Sequence, residues 1–166
     1  MKRLLVTTLI LCGVMVGLPC EAAAQTRLVI LPFRNTDGLI DYNLWQYELA
    51  DSLRTMLVEM DPNEQYYHIV DPDSVEMAIA EFNLDPTNAQ YESDVWRAVE
   101  LVQAGKVIQG NFFLQGERVL INAYIYTVEY KMADQQHLAK DIVRSPTTYL
   151  SAVKLIAKKL FPGLQQ

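Results

Sequence analysis

The chain has 166 residues, and its 14 Lys and Arg against 20 Asp and Glu give a formal net charge of −6. Its two cysteines, Cys12 and Cys20, both fall in the first 24 residues, so the other 142 hold no thiol. This excludes a disulfide framework, a thiolate metal site and a cysteine nucleophile there. An acidic balance without a basic run argues against nucleic acid, whose phosphates need neutralising.

Lys2 and Arg3 precede an apolar run over 4–18, and Pro19-Cys20-Glu21-Ala22-Ala23-Ala24-Gln25 follows. A charged start, an apolar stretch and a small-x-small end are the parts of an export signal, here with cleavage after Ala24. The apolar run is shorter than the ~20 residues that span a bilayer. Lipid attachment at Cys20 is the less favoured alternative, because Pro19 stands where a small residue is expected. The expected organisation is a signal peptide over 1–24 and one domain over 25–166, located in the periplasm, with no transmembrane segment after the signal. Removing Lys2, Arg3 and Glu21 leaves 12 basic and 19 acidic side chains, a net charge of −7.

Residues 28–33 (Leu-Val-Ile-Leu-Pro-Phe) form a continuous apolar run, the pattern of a strand buried on both faces. Pro32 has no N–H to give a ladder, so pairing ends near it. The turn cluster Asn35-Thr36-Asp37-Gly38 follows. Over 42–60 the period becomes helical: Trp45, Leu49, Leu53, Met56, Leu57 and Met60 share one face, and Asp61-Pro62-Asn63 ends the helix. Residues 66–70 read as a second strand. Asp71-Pro72 starts a helix with Val75, Ile79 and Phe82 inward, and 84–88 break it. Ser93 and Asp94 open a further helix with Val95, Val99 and Val102 inward, closed by Gly105.

Strands over 106–114 and 118–128, joined through Gln115-Gly116-Glu117, make the clearest hairpin. In the second of them Val119, Ile121, Ala123 and Ile125 share a core face; Leu120, Asn122, Tyr124 and Tyr126 share the other. A weaker strand covers 137–144. Ser145-Pro146 opens a last helix with Leu150, Val153, Ile156, Ala157 and Leu160 inward and Lys154, Lys158 and Lys159 outward, the lysines suiting the negative end of its dipole. The order β-α-β-α-α-β-β-β-α predicts an α/β fold: a mixed parallel and antiparallel sheet packed with helices.

The chemistry-bearing residues are sparse. Gly105, Lys106 and Gly110 lack the Ser or Thr and the following helix of a phosphate loop; Gly105 reads as a helix cap and Gly110 as a point of close backbone approach. Asp71 and Asp73 read as capping residues. His68 and His137 are the only histidines, far apart in sequence, and His68 reads as half-buried. No nucleophile elbow occurs. Trp45 and Trp96 read as packing residues. No catalytic residue, metal or cofactor is expected. Phe112 with Leu120, Tyr124 and Tyr126 makes an aromatic stripe on the second face of the hairpin: core if helices cover both faces, partner-binding if they cover one.

Leu28-Val29-Ile30-Leu31-Pro32-Phe33-Arg34-Asn35, Glu48-Leu49-Ala50-Asp51-Ser52-Leu53, Tyr67-His68-Ile69-Val70-Asp71, and the pair 104–111 and 116–123 resemble the amino-terminal domain of TolB. Its architecture is shared with the curli-pore periplasmic domain, the flagellar protein FlgO and the lipoprotein activators of penicillin-binding proteins. The turn after the fourth strand departs from the pattern, reading Val128-Glu129-Tyr130-Lys131. The resemblance implies a TolB-N-like domain acting as a non-catalytic adaptor or assembly module of the bacterial envelope, near the outer membrane or peptidoglycan. Its implied partners are outer-membrane, peptidoglycan-linked, secretion or flagellar proteins, and a homo-oligomer is compatible with it. The expected partner-binding residues are Arg34, Asn35, Leu39, Ile40, Phe112, Tyr124 and Tyr126. The alternative is a small ligand-binding or hydrolase domain with its site around Arg34, Asn35 and Asp37, at the carboxyl ends of strands one and two.

The export signal makes a direct prediction. Intact-mass measurement of the envelope protein gives a chain beginning at Gln25; a diacylglyceryl-modified chain beginning at Cys20 would replace the soluble form with a membrane-anchored one.

Overall fold

The computed structural model describes residues 25–82 and 89–166. The expected signal peptide and the break over 84–88 lie outside them. Strand β1 (Thr26–Ile30) is followed by a two-residue strand β2 (Arg34–Asn35), helix α1 (Leu44–Met60), β3 (Tyr67–Ile69), α2 (Pro72–Ala80) and α3 (Tyr91–Leu101). The hairpin β4 (Lys106–Gln115) and β5 (Arg118–Thr127), then β6 (Met132–Arg144) and α4 (Ala152–Leu164), complete the chain. The sheet order is β3-β1-β4-β5-β6, with β2 also beside β4. Pairing is parallel from β3 through β1 to β4 and antiparallel from β4 through β6. The mixed α/β sheet expected from the element order is the one observed.

Two apolar layers sandwich the parallel half of the sheet. On the first face α1 and α4 pack Leu49, Leu53, Leu57, Val153, Ile156 and Leu160 against Leu28, Ile30, Ile121 and Ile125. On the second face α2 and α3 pack Val75, Val95 and Val99 against Val29, Leu31 and Val107. Alternate residues of β1 therefore feed different layers, which is why the run is apolar without a break.

Pro32 interrupts the first strand as expected, and the chain resumes pairing two residues later. Leu31 N–H still donates to the Ile108 carbonyl at 3.1 Å, whereas Phe33 N–H turns to the Gln46 carbonyl on α1 at 3.0 Å. β2 then pairs Arg34 with Asn111 and Asn35 with Phe112. The Phe33 side chain lies across Gly110, where an added Cβ would come within 2.2 Å of the ring. The close approach expected at Gly110 is thus a ring seated on a bare Cα.

Several local expectations are corrected. The helix before β4 ends at Leu101, and Gln103, not Gly105, takes the left-handed conformation at φ 55°. Gly105 N–H instead donates to the Arg27 carbonyl, placing it at the start of the strand pairing. His68 is exposed and pairs with Glu64 at 2.9 Å. Leu150 is 41% exposed, because Tyr149–Ser151 form a 3-10 turn and the α-helical period begins only at Ala152. Helix α4 continues through Pro162 to Leu164, so its lysines are not in the last turn. Lys106 Nζ fills that role from β4, donating to the carbonyls of Gly163 at 2.7 Å and Gln166 at 2.9 Å.

Phe112 is the largest correction. The hairpin closes through a two-residue turn, Gly116 and Glu117, with positive φ at Gly116, a geometry suited to hairpin twist. Counting one turn residue fewer than expected shifts the pairing by one, so Phe112 lies opposite Ile121, not Leu120. It is fully buried on the first face and is no part of an exposed stripe.

Two substitutions test this packing in urea unfolding. Ile121→Asp puts an unpaired charge at a fully buried position and prevents folding. Gly110→Ala forces the Phe33 ring aside and costs ~1–3 kcal/mol, and Phe33→Leu in the same chain recovers part of that loss.

Candidate interaction surface

The segment from Arg34 to Tyr47 leaves the carboxyl end of β1 and is held by its own polar groups. Thr36 N–H and Oγ1 both donate to the Phe112 carbonyl at 3.0 Å. The Asp37 carboxylate accepts the Leu114 N–H. Asn35 is the hub: its Nδ2 donates to the Leu39 carbonyl at 2.9 Å and to Asn43 Oδ1 at 3.0 Å, and its Oδ1 accepts from Asp37 N–H at 3.3 Å. Gly38 supplies the positive φ that the turn needs, at 67°.

This scaffold presents apolar side chains to solvent. Leu39 is 48% exposed and Ile40 81%, and at the start of α1 Leu44 is 65% and Tyr47 51% exposed. Leu44 and Tyr47, three residues apart, share a side of α1 turned away from its core stripe, and Ile40 precedes them in a 3-10 turn. Leu39 and Ile40 were expected among the partner-binding residues, and the geometry leaves them outward. Leu44 and Tyr47 were missed; the signal available was their position about 180° and about 120° away from the centre of the Leu49–Leu53–Leu57 face. Arg34 is exposed at the same end. Near it the Tyr91 hydroxyl is pushed up by burial and by the neighbouring Tyr47, with Arg34 opposing.

The other expected residues lie elsewhere. Tyr126 is half-buried against Trp96, ring centroids 5.8 Å apart, at the margin of the second layer. Burial, Tyr124 and Glu92 together raise its hydroxyl pKa. Tyr124 is half-buried beside it, 6.4 Å away. The structure therefore brings Arg34, Asn35, Leu39 and Ile40 together, places Tyr124 and Tyr126 on the second sheet face, and buries Phe112 on the first. Trp45 stacks on Tyr149 at 4.1 Å, a packing role.

Elsewhere the titratable groups serve the fold. A hollow of about 200 Å3 beside β3 is lined by Arg54, Asp61 and Tyr67. Asp61 there is buried, and its carboxylate accepts the N–H groups of Gln65 and Tyr66 at 2.8 Å. A hollow of about 460 Å3 at the other end is lined by Lys106, Asp134 and Gln136. Lys106 is engaged with α4. The Asp134 carboxyl is pushed up by burial, but bonds from His137 Nδ1, at 2.7 Å, and from the Gln136 and His137 N–H groups outweigh this and hold it below the ordinary carboxylate value. No group of three or more His, Cys, Asp or Glu is arranged to hold a metal among the described residues.

The fold recurs in solved structures. The LpoB C-terminal domain from Escherichia coli is 17% identical, matched over 79% of this chain and 90% of that one with a TM-score of 0.54. The same domain from Salmonella enterica is 16% identical over 76% and 87%, with a TM-score of 0.52. Lipoprotein GNA1162 from Neisseria meningitidis is 14% identical over 83% and 96%, with a TM-score of 0.55. No protein-family model matches the chain, and no curated protein sequence matches it. At these identities the likeness defines a class of fold, the α/β domain of LpoB and GNA1162.

The pinned loop gives a prediction independent of any partner. Asn35→Ala removes two donated bonds and one accepted bond; the expected loss is ~1–2 kcal/mol of stability, together with faster amide hydrogen exchange confined to 36–43. Unchanged exchange there would show that Asn35 does not hold the loop.

Proposed function

We propose that the protein is an exported, non-catalytic adaptor or assembly domain of the bacterial envelope that binds another protein through the surface around Arg34, Leu39 and Ile40, extended by Leu44 and Tyr47. The observation that carries this reading is that four large apolar side chains stand exposed on a segment whose polar groups are tied down. A rigid apolar anchor with a charged rim is what a protein interface requires. The fold neighbours support it at the level of setting, since they are named as an LpoB domain and a lipoprotein. Of the three residues around which the ligand-binding or hydrolase alternative was placed, Asn35 and Asp37 are engaged with backbone groups of the loop and β4, which leaves Arg34.

The test is the combined variant Arg34→Glu, Leu39→Ser, Ile40→Ser. All three side chains are exposed, so the melting temperature stays within about 2 °C of the parent, while capture of partners from crosslinked envelopes is lost. A variant that folds and still captures every partner would place the interface elsewhere.

A further inference from the structure

The outer edge of the sheet at β3 is closed at one residue and open two residues on. β3 runs parallel to β1, and Val70 N–H donates to the Leu28 carbonyl at 2.9 Å. That bond fixes the alternation: His68 and Val70 turn their backbone groups toward β1, and Tyr67 and Ile69 turn theirs outward. Those of Tyr67 are taken, its N–H by Asp61 Oδ2 at 3.4 Å and its carbonyl by the Gln25 amide at 3.3 Å. The N–H and C=O of Ile69 have no partner among the described residues.

Beside Ile69 lies the hollow of about 200 Å3, between β3 and the flank of α1. Val58, Pro62 and Ile69 give it apolar walls, and Val58 is 52% exposed. Its charged lining is Asp61, Glu64, Asp71 and Arg54. The Arg54 guanidinium is turned away: Nη1 binds Asp51, Nη2 points to the Ile30 carbonyl at 3.4 Å, and Nε is enclosed by the protein. With Asp51 counted, four carboxylates against this one guanidinium give −3. His68, 2.9 Å from Glu64, brings that to −2 when protonated.

We infer that this edge takes one extended segment of a partner protein, with a lysine or arginine placed opposite Ile69. In an antiparallel pair the residue opposite Ile69 exchanges both backbone bonds with it, and its side chain stands on the same face of the sheet. Ile69 packs on the first layer, so that side chain enters the hollow. The space is below the ~300 Å3 at which small-molecule pockets begin and suits one long side chain. An aliphatic stem lies along Val58 and Pro62 while the charged head reaches the acidic end at Asp61 and Glu64. Backbone bonds hold the segment and the hollow selects its side chain. Because Tyr67 is closed on both of its outward groups, only one register is open.

Other occupants fit less well. A second copy joined edge to edge would set one acidic rim against an identical one. Residues 4–24 of this chain contain no basic side chain and do contain Glu21, so they cannot supply the cation. A free amine could fill the hollow but would leave the Ile69 groups unpaired.

The probe is a set of labelled nine-residue peptides, capped at both ends, built of Thr and Val around a central Lys, Gln or Glu. Each is titrated with the purified protein by fluorescence anisotropy. The Lys peptide binds about tenfold more tightly than the Gln peptide, and the Glu peptide more weakly still. N-methylation at the central residue, which removes the N–H offered to the Ile69 carbonyl and keeps the lysine, weakens binding about tenfold. In the protein, Val58→Lys puts a rival cation at an exposed position beside the hollow and abolishes binding; Glu64→Gln reduces the preference for Lys over Gln. Amide shifts of the unmodified protein locate the site independently of any variant's folding, moving most at Ile69 and not over 34–47. Equal binding of the three peptides, binding of none, or indifference to N-methylation overturns the proposal. So do shifts centred on the Ile40 surface, n-butylamine competing at the same concentration as the Lys peptide, or a dimer in sedimentation that Val58→Lys dissolves.

Discussion

The seat of Phe33 on Gly110 fixes how the chain leaves the sheet. Pro32 cannot donate, so the first strand must break, and an apolar run that breaks at the centre of a sheet needs somewhere to put its last side chain. Gly110, on the neighbouring strand, has no side chain of its own and accepts the ring within the first core layer. With Phe33 anchored there and its N–H held by Gln46, the next residues can only re-enter alongside Asn111 and Phe112. The position of β2, the bonds of Thr36 and Asp37 to β4, and the outward aim of Leu39 and Ile40 all follow from that placement.

The two faces of the sheet answer different demands. The first is closed by α1 and α4 from edge to edge and supplies the larger share of the buried core. The second is closed only over its parallel half, where β1 is central and both faces must be covered. Antiparallel strands tolerate one wet face, so the β4–β6 half remains stable without a second layer. Stability is thus concentrated on one side of the molecule.

Much of this was legible in the sequence because it rests on local period. The stripe Leu49–Leu53–Leu57 and the run Val153–Ile156–Leu160 mark helices whatever surrounds them, and the alternation Val119–Ile121–Ala123–Ile125 marks a core face. What escaped depends on counts or on partners. A single residue assigned to the wrong side of the β4–β5 turn moved Phe112 to the opposite face, because side chains alternate with period two. β2 is two residues long and exists only because β4 lies beside it. Gln103 takes a left-handed conformation that composition would give to the nearby glycine. Leu44 and Tyr47 are visible as surface only once the inward face of α1 is fixed. Lys106 carries no local signal, because its partners lie 57 and 60 residues along the chain, whereas Asn35 and Asp61 pin groups within eight residues of themselves and stand in turns that the sequence marks.

Lys106 ties the first residue of β4 to the last carbonyls of the chain, across 57 residues to Gly163 and 60 to Gln166. The same helix end supplies Leu160 and Leu164 to the first layer, and Gly163 packs so closely on His137 that an added Cβ would come within 2.7 Å of that side chain. Until this final segment arrives, the inward faces of Ile121, Ile142 and Ala139 have nothing over them. Contacts this distant in sequence form late in folding, because a long loop must close before they are rewarded. A chain that emerges amino-terminus first from any channel would therefore stay open until α4 had cleared it. A stop codon ahead of α4 would then yield a sticky, protease-sensitive product, with no partially working domain in between.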